Sequence, residues 1–206
     1  MKITKIELQK QRKNRCSVFI DETFAFGLYI EDLYLLGLKE GQILTTQERE
    51  KIENQILYSR GKDKALHLLS YRARTEKEVR QRLQDEEYPN TVIDQVIEFL
   101  YEYSFLDDQR YAEQFIRSKL RSKPLGKRMI LHQLQQKGIS KADAEEALTN
   151  QEIDETAAAY KLVEKRIDTT RPATFKEKKK MFSYLQGRGF SYDIIREVLS
   201  QITWED

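Results

Sequence analysis

The chain is poor in the residues that interrupt or cross-link a fold. It has one cysteine, three prolines and eight glycines among 206 residues. The lone Cys16 cannot form an internal disulfide, which favours a reducing, cytoplasmic location. No apolar run approaches the ~20 residues that span a bilayer, and the polar start lacks the apolar stretch of a secretory signal. The sequence therefore predicts a cytoplasmic protein with long helices and no membrane segment.

Catalytic and metal-binding constellations are also missing from the sequence. Neither His67 nor His132 has cysteine or acidic residues at ligand spacing. The acidic pair Asp107–Asp108 falls where a helix is expected to begin, and carboxylates there offset the positive end of the helix dipole. A phosphate-binding GxxxxGK[ST] loop is absent, and Gly187–Gly189 is more typical of a helix end. We therefore expect no catalytic residue, no metal ligand and no cofactor.

What the sequence does contain is an apolar pattern that returns every 51 residues, three times over. The matched sets are Val79/Ile130/Met181, Leu83/Leu134/Leu185, Tyr88/Ile139/Phe190 and Ile97/Leu148/Leu199. A fixed long period indicates one structural unit used repeatedly, with each copy burying its apolar face partly against its neighbours. Such arrays usually present an extended surface to another macromolecule. The predicted fold class is mainly α: a tandem array of three three-helix units, preceded by a small β-rich N-terminal region.

Capping residues and helical spacing predict the elements of each unit. Residues 1–44 are strand-like, although 30–38 fits either a helix or a strand, and a capping box at Thr45 opens a helix to about Tyr58. The remaining helices are predicted at 62–71, 75–86 and 90–103, at 108–121, 125–137 and 140–149, and at 154–168, 174–187 and 191–202. The predicted domains are accordingly 1–60, 61–108, 109–151 and 152–206.

The residue that closes the middle helix differs among the three units. Gly138 and Gly189 match at the 51-residue period, but Glu87 holds this position in the first unit. Glycine suits the left-handed conformation common at helix ends, whereas another residue there costs roughly 1–2 kcal/mol. We therefore expect the first unit to close its middle helix in a different way, helped by Pro89.

Basic charge is concentrated in the second unit. Residues 109–151 carry a net charge of +5, whereas residues 61–108 carry −4. Arg110, Arg117 and Arg121 are spaced to share one face of the first helix of this unit. This face could bind phosphates or an acidic protein surface, or it could simply be a solvated helix face. The second lysine cluster, at 176 and 178–180, is interrupted by Glu177 and fits a solvated face better.

Three sequence blocks follow one another in the helical part of the chain: LSYRARTEKEV at Leu69–Val79, FLDDQRYA at Phe105–Ala112, and PLGKR at Pro124–Arg128 followed by Leu134 and KGI at Lys137–Ile139. In this order they resemble the RecX family, whose members regulate the RecA recombinase. The resemblance covers about residues 61–151 strongly and 152–206 weakly. The β-rich start looks like the extension of longer members.

The resemblance implies binding along the groove of the RecA filament on single-stranded DNA, where such proteins restrain RecA's ATPase and strand exchange. It implies no enzymatic activity, cofactor or small-molecule substrate. Some proteins of the family also bind DNA themselves. We expect this protein to be a monomer. The motif matches and the basic segment together nominate Arg72, Arg74, Arg110, Arg117, Lys119, Arg121, Lys123, Lys127 and Arg128 as partner- or DNA-binding residues. Two other interpretations stay open: a stand-alone DNA- or RNA-binding repeat protein, and a pure protein-interaction scaffold.

Overall fold

The structure, a computed structural model of the chain, describes residues 1–10, 12–122, 124–168 and 172–204. It divides into two compact units, Met1–Asp107 and Asp108–Asp206. The first unit contains a small sheet and one set of three helices, and the second contains two further sets. The predicted fold class is therefore confirmed.

The N-terminal region is a three-stranded antiparallel sheet. Its strands β1 (Ile3–Leu8), β2 (Arg15–Ile20) and β3 (Thr23–Tyr29) lie side by side in chain order. The outer edge of β1 is covered, because the Ile3 N–H donates to the Gln42 carbonyl at 2.8 Å and the Gly41 N–H donates to the Ile3 carbonyl at 2.8 Å. The ambiguous segment after the sheet is a helix, α1 (Ile30–Leu36).

One long helix links the sheet to the first three-helix unit. It comprises α2 (Thr46–Lys51), a π-helical turn (Ile52–Leu57) and α3 (Tyr58–Tyr71), and α4 (Glu76–Asp85) and α5 (Asn90–Glu102) follow. The capping box at Thr45 is present as predicted. The predicted break between about Tyr58 and residue 62 is wrong. Gly61 lies buried inside α3, where a Cβ would come within 3.1 Å of Val96 Cγ2, so this glycine serves the close packing of α3 on α5.

The middle helices of all three units end with the same backbone geometry. Glu87, Gly138 and Gly189 have φ angles of 61°, 95° and 85°. In each unit the N–H of the next residue donates to the carbonyl five residues earlier, at 3.2 Å in the first unit, 3.1 Å in the second and 3.3 Å in the third. The expectation that the first unit closes differently is therefore wrong, and Glu87 adopts a left-handed conformation that usually requires glycine.

Contacts with the sheet explain how Glu87 tolerates this conformation. Its carboxylate Oε2 accepts hydrogen bonds from the Ser17 hydroxyl at 2.5 Å and from the Gln9 side-chain amide at 2.6 Å. Its carbonyl accepts a bond from the Gly27 N–H at 2.9 Å. Hydrogen bonds to a charged group contribute about 1.5–3 kcal/mol each, which is enough to offset the backbone strain. Whether the N-terminal region packs on the helices was open from the sequence; it docks on the first three-helix unit at the end of α4.

A buried arginine completes the joint between sheet and helices. Arg15 is 2% exposed, and its Nη2 donates to the carbonyls of Gly27 at 3.1 Å and Glu86 at 2.6 Å. Its guanidinium carbon lies 4.5 Å from the ring centroid of Tyr29 and 5.1 Å from that of Tyr88. Burial raises the pKa of Tyr88 to about 12, although the neighbouring Arg15 opposes the shift. The guanidinium is thus held between two rings and two carbonyls.

The second compact unit contains the other two sets of three helices. They are α6 (Asp108–Ser122), α7 (Lys127–Gln136) and α8 (Lys141–Thr149), then α9 (Glu155–Glu164), α10 (Phe175–Gly187) and α11 (Tyr192–Ser200). Every residue of the four 51-residue sets is buried, both here and in the first unit, as the repeat predicted. The periodic apolar positions therefore form the cores of the three-helix units.

Two glycines allow the second and third three-helix units to touch through their backbones. The Gly126 N–H donates to the Arg188 carbonyl at 3.0 Å. A Cβ on Gly126 would lie 2.3 Å from the Gly189 carbonyl carbon, and one on Gly189 would lie 2.5 Å from Met129 Cβ. The start of α7 is consequently fixed against the end of α10, with no room for a side chain between them.

Replacing Gly126 with alanine should therefore destabilise the second compact unit by about 1–3 kcal/mol, because the added methyl forces two backbones apart. Gly187→Ala is the matched control: apart from its chain neighbours and the backbone of its own helix, no atom lies within 4 Å of its Cβ position, and alanine in a helix should stabilise by about 0.5–1 kcal/mol. The single tryptophan, Trp204, lies in this unit and reports urea unfolding by fluorescence. Equal transition midpoints for the two variants would contradict the close approach.

A second pair of variants separates strain from bonding at positive φ. Ser104 is exposed at φ 56°, so Ser104→Gly should stabilise by about 1 kcal/mol through relief of strain alone. Glu87→Gly relieves the same strain but removes the acceptor for Ser17 and Gln9, so a net loss of about 1–3 kcal/mol is expected. Calorimetry of the whole chain gives the sign of each change. A higher melting temperature for Glu87→Gly would show that the sheet contacts contribute less than the strain.

Candidate nucleic-acid and partner interface

The basic residues of α6 differ in how their charges are used. Arg117 Nη2 lies 3.4 Å from the Glu113 carboxylate, and its Nε donates to the Gln151 side chain at 3.4 Å. The ammonium of Lys119 lies 4.9 Å from the Phe115 ring centroid. Arg110 and Arg121 are exposed near opposite ends of the helix. For Arg121, no carboxylate within ion-pair distance occurs among the described residues.

The exposed pair Lys127 and Arg128 forms the first turn of α7. The Lys127 N–H donates to the Glu155 carboxylate of α9 at 2.8 Å, and Gly126 just before it packs on Gly189. Both contacts come from the third three-helix unit, so the backbone carrying these two cations is held from two sides. Within the described part of the chain, neither side chain is ion-paired. A fixed backbone with free charges is an arrangement suited to binding phosphates or carboxylates.

The end of α10 brings further basic residues to the start of α7. A row of residues spaced four apart runs along one side of this helix to the residue just after it: Lys176, Lys180, Tyr184 and Arg188. Arg188 lies 5.0 Å from the Tyr184 ring centroid, and Arg166 approaches the same ring at 3.9 Å. Since the Arg188 carbonyl is bonded to Gly126, this row ends beside the backbone that precedes Lys127.

The lysine cluster of α10 separates into engaged and free members. Lys178 lies 5.0 Å from a Trp204 ring centroid, and Lys179 lies 4.9 Å from that of the exposed Phe175. Lys176 and Lys180 are exposed, and neither is ion-paired within the described ranges. Sequence reasoning treated the whole cluster as a solvated face and overlooked Arg166 and Arg188. The four-residue spacing pointed to Arg188, but no local signal placed Arg166 beside the same ring.

The candidates of the first unit stabilise the joint between α3 and α4. Arg72 Nη1 lies 3.1 Å from a Glu78 oxygen and donates to the Ala73 carbonyl at 3.0 Å. The Nε of the half-buried Arg74 donates to the Leu68 carbonyl at 3.1 Å. Both guanidiniums therefore have internal partners, and a binding role for them stays a prediction. Lys123 lies outside the described residues.

The described ranges hold no group of three or more His, Cys, Asp or Glu side chains placed to bind a metal ion. Their helices include none with both the length and the hydrophobicity that a membrane crossing requires. Burial raises the pKa of the Cys16 thiol, which hydrogen-bonds to the Leu28 carbonyl inside the sheet.

These features define a class: a helical-repeat protein of three-helix units that carries exposed cations on its second compact unit. Models of the RecX family match the chain in four parts: the N-terminal domain at residues 1–45 and the first, second and third three-helix domains at 62–100, 107–148 and 152–199. The chain belongs to the RecX family of regulatory proteins.

Individual relatives agree with this membership along nearly the whole chain. "Regulatory protein RecX" of Clostridium acetobutylicum is 36% identical over 99% of this chain and 97% of its own length. The Clostridium botulinum Eklund 17B protein of the same name is 34% identical over 97% and 95%. A crystal structure of regulatory protein RecX superposes with a TM-score of 0.66 at 27% identity, covering 97% of this chain and 99% of that one. RecX from Lactobacillus salivarius gives a TM-score of 0.62 at 29% identity over 70% and 96%.

Free and paired cations should contribute differently to binding of single-stranded DNA. Removing three phosphate contacts by Arg121→Gln, Lys127→Gln and Arg128→Gln should lower the slope of log affinity against log salt by about 2. The control removes the same charge through Arg49→Gln, Arg80→Gln and Arg82→Gln, whose guanidiniums already face carboxylates. Its slope should match that of the unmodified protein. A similar drop in both triple variants would mean that total charge, and not these three positions, governs binding.

Proposed function

We propose that this protein is a non-enzymatic regulator that binds the RecA filament on single-stranded DNA and mainly inhibits RecA's ATPase, strand exchange and recombination. Its relatives are named regulatory proteins, which supports a regulatory rather than a catalytic role. The observation that carries the DNA side of the proposal is the pair Lys127 and Arg128, exposed and unpaired among the described residues, on a backbone held by Glu155 and Gly189. The protein would act in the cytoplasm as a monomer.

The proposed mechanism is a shift between filament states. A ligand moves a conformational equilibrium only as far as its affinities for the two states differ. A protein made of consecutive three-helix units can touch several filament subunits, so its total affinity depends on the spacing between them. Binding would then favour the less active or less extended filament, whose spacing fits the units better.

The decisive measurement is RecA-dependent ATP hydrolysis on single-stranded DNA, with and without stoichiometric protein. We expect strong inhibition, and we expect Arg117→Glu with Arg121→Glu to weaken it while leaving the circular dichroism spectrum unchanged. Both residues are exposed on α6, so charge reversal should not disturb the core. An unchanged hydrolysis rate at stoichiometric protein would refute the proposal.

A stand-alone DNA- or RNA-binding role is the alternative, favoured by the same free cations on α6, α7 and α10. It predicts salt-sensitive binding to single-stranded DNA without RecA. It also predicts that any inhibition arises from competition for DNA, so excess DNA should restore the full rate of hydrolysis. Inhibition that survives excess DNA favours the filament-binding proposal.

A further inference from the structure

The first compact unit contains an open cleft where the π-helical turn and α3 pack beside α5. It has a volume of about 300 Å³ and is lined by Asn54, Tyr58, Gln95, Glu98, Phe99 and Glu102. Its volume is at the lower end of the range found for ligand sites. A hydrogen bond of 3.2 Å between the Gln95 and Asn54 side chains crosses between its two walls. The lining thus combines two aromatic rings with two carboxylates.

The aromatic walls already hold a cation. The ammonium of Lys62 lies 4.6 Å from the Tyr58 ring centroid and 4.9 Å from the Phe99 ring centroid. Both distances are within the range over which a cation is attracted to a ring face. Lys62 is one turn beyond Tyr58 on α3, so the cation is supplied by the chain itself. The two rings therefore share a position that already attracts a cation.

The carboxylates give the cleft its negative charge. Glu98 and Glu102 lie one turn apart on α5, both are exposed, and neither is ion-paired among the residues described. Their charges, together with the larger effect of burial, raise the pKa of Tyr58, which places both near the phenol. The cleft is therefore complementary to a group with a positive charge and a flat or compact head.

The surroundings of the cleft favour a protein as the source of that group. Phe99 packs on Tyr103 and Phe105, with ring centroids 4.8 Å and 6.1 Å away. These two neighbours are 59% and 49% exposed. Exposed aromatic side chains are enriched at protein interfaces, whereas negative charge at the cleft repels nucleic acid.

We propose that this cleft binds an arginine or lysine side chain presented by a partner protein, which takes the place of the Lys62 ammonium between the Tyr58 and Phe99 rings. The inference rests on the proposed function and deepens it, because it assigns the RecA side of the filament to the first compact unit. The free cations of the second unit remain available for DNA.

Two variants with opposite expected effects test the cleft in the full-length protein. The probe is acetyl-Gly-Arg-Gly-amide, titrated while the ring resonances of Tyr58 and Phe99 are followed by NMR. Glu98→Gln with Glu102→Gln should weaken binding about tenfold, and Lys62→Gln should strengthen it about threefold because it removes the internal competitor. Glu145→Gln with Glu146→Gln, on the exposed face of α8, is the matched control and should change nothing. Equal affinity for all four proteins would overturn the proposal.

A second measurement separates this inference from the proposed function. The affinity of each protein is measured for RecA filaments on single-stranded DNA and for single-stranded DNA without RecA. We expect the Glu98/Glu102 variant to lose filament affinity but to keep its DNA affinity. If the unmodified protein does not bind the filament, the proposed function fails, and the peptide titration alone tests whether the cleft binds a cation. If the variant binds the filament as tightly as the unmodified protein, the assignment of the cleft to RecA is wrong.

Discussion

The left-handed residue at the end of each middle helix is the constraint on which the repeat depends. At Glu87, Gly138 and Gly189 the chain turns so that the next residue donates its N–H back to the helix and places its side chain in the core. Tyr88, Ile139 and Phe190 are buried for this reason. Without that turn, the third helix of each unit would start in the wrong direction and its apolar face would miss the other two.

Glycine meets this constraint at little cost, but it also offers no side chain for contacts. The third unit uses the small size of Gly189 to bring its backbone against Gly126. The first unit instead has Glu87, whose carboxylate and carbonyl bond to three residues of the N-terminal sheet region. One turn geometry thus supports two kinds of neighbour: another three-helix unit through close backbone contact, or the sheet through hydrogen bonds.

Helical spacing of apolar residues and capping residues made the helices predictable, because both signals lie within or beside each helix. The errors came from contacts between distant parts of the chain. Gly61 resembles a helix end until Val96 is seen beside it, and Glu87 resembles a misfit until Ser17 and Gln9 are known to bond to it. Neither residue pair is close in sequence. Local propensity was overridden in both places by tertiary packing.

The candidate site was predictable only as a set of charges. Composition cannot tell Arg117, which faces Glu113, from Arg121, which has no such partner among the described residues, although both lie on one helix. The fold makes that distinction, and it also separates the charges by unit: the acid-lined cleft lies in Met1–Asp107 and the free cations of α6, α7 and α10 in Asp108–Asp206. The proposed target, a filament of protein on DNA, offers a partner to each surface. Basic protein side chains complement the carboxylates of the cleft, and phosphates complement the free cations.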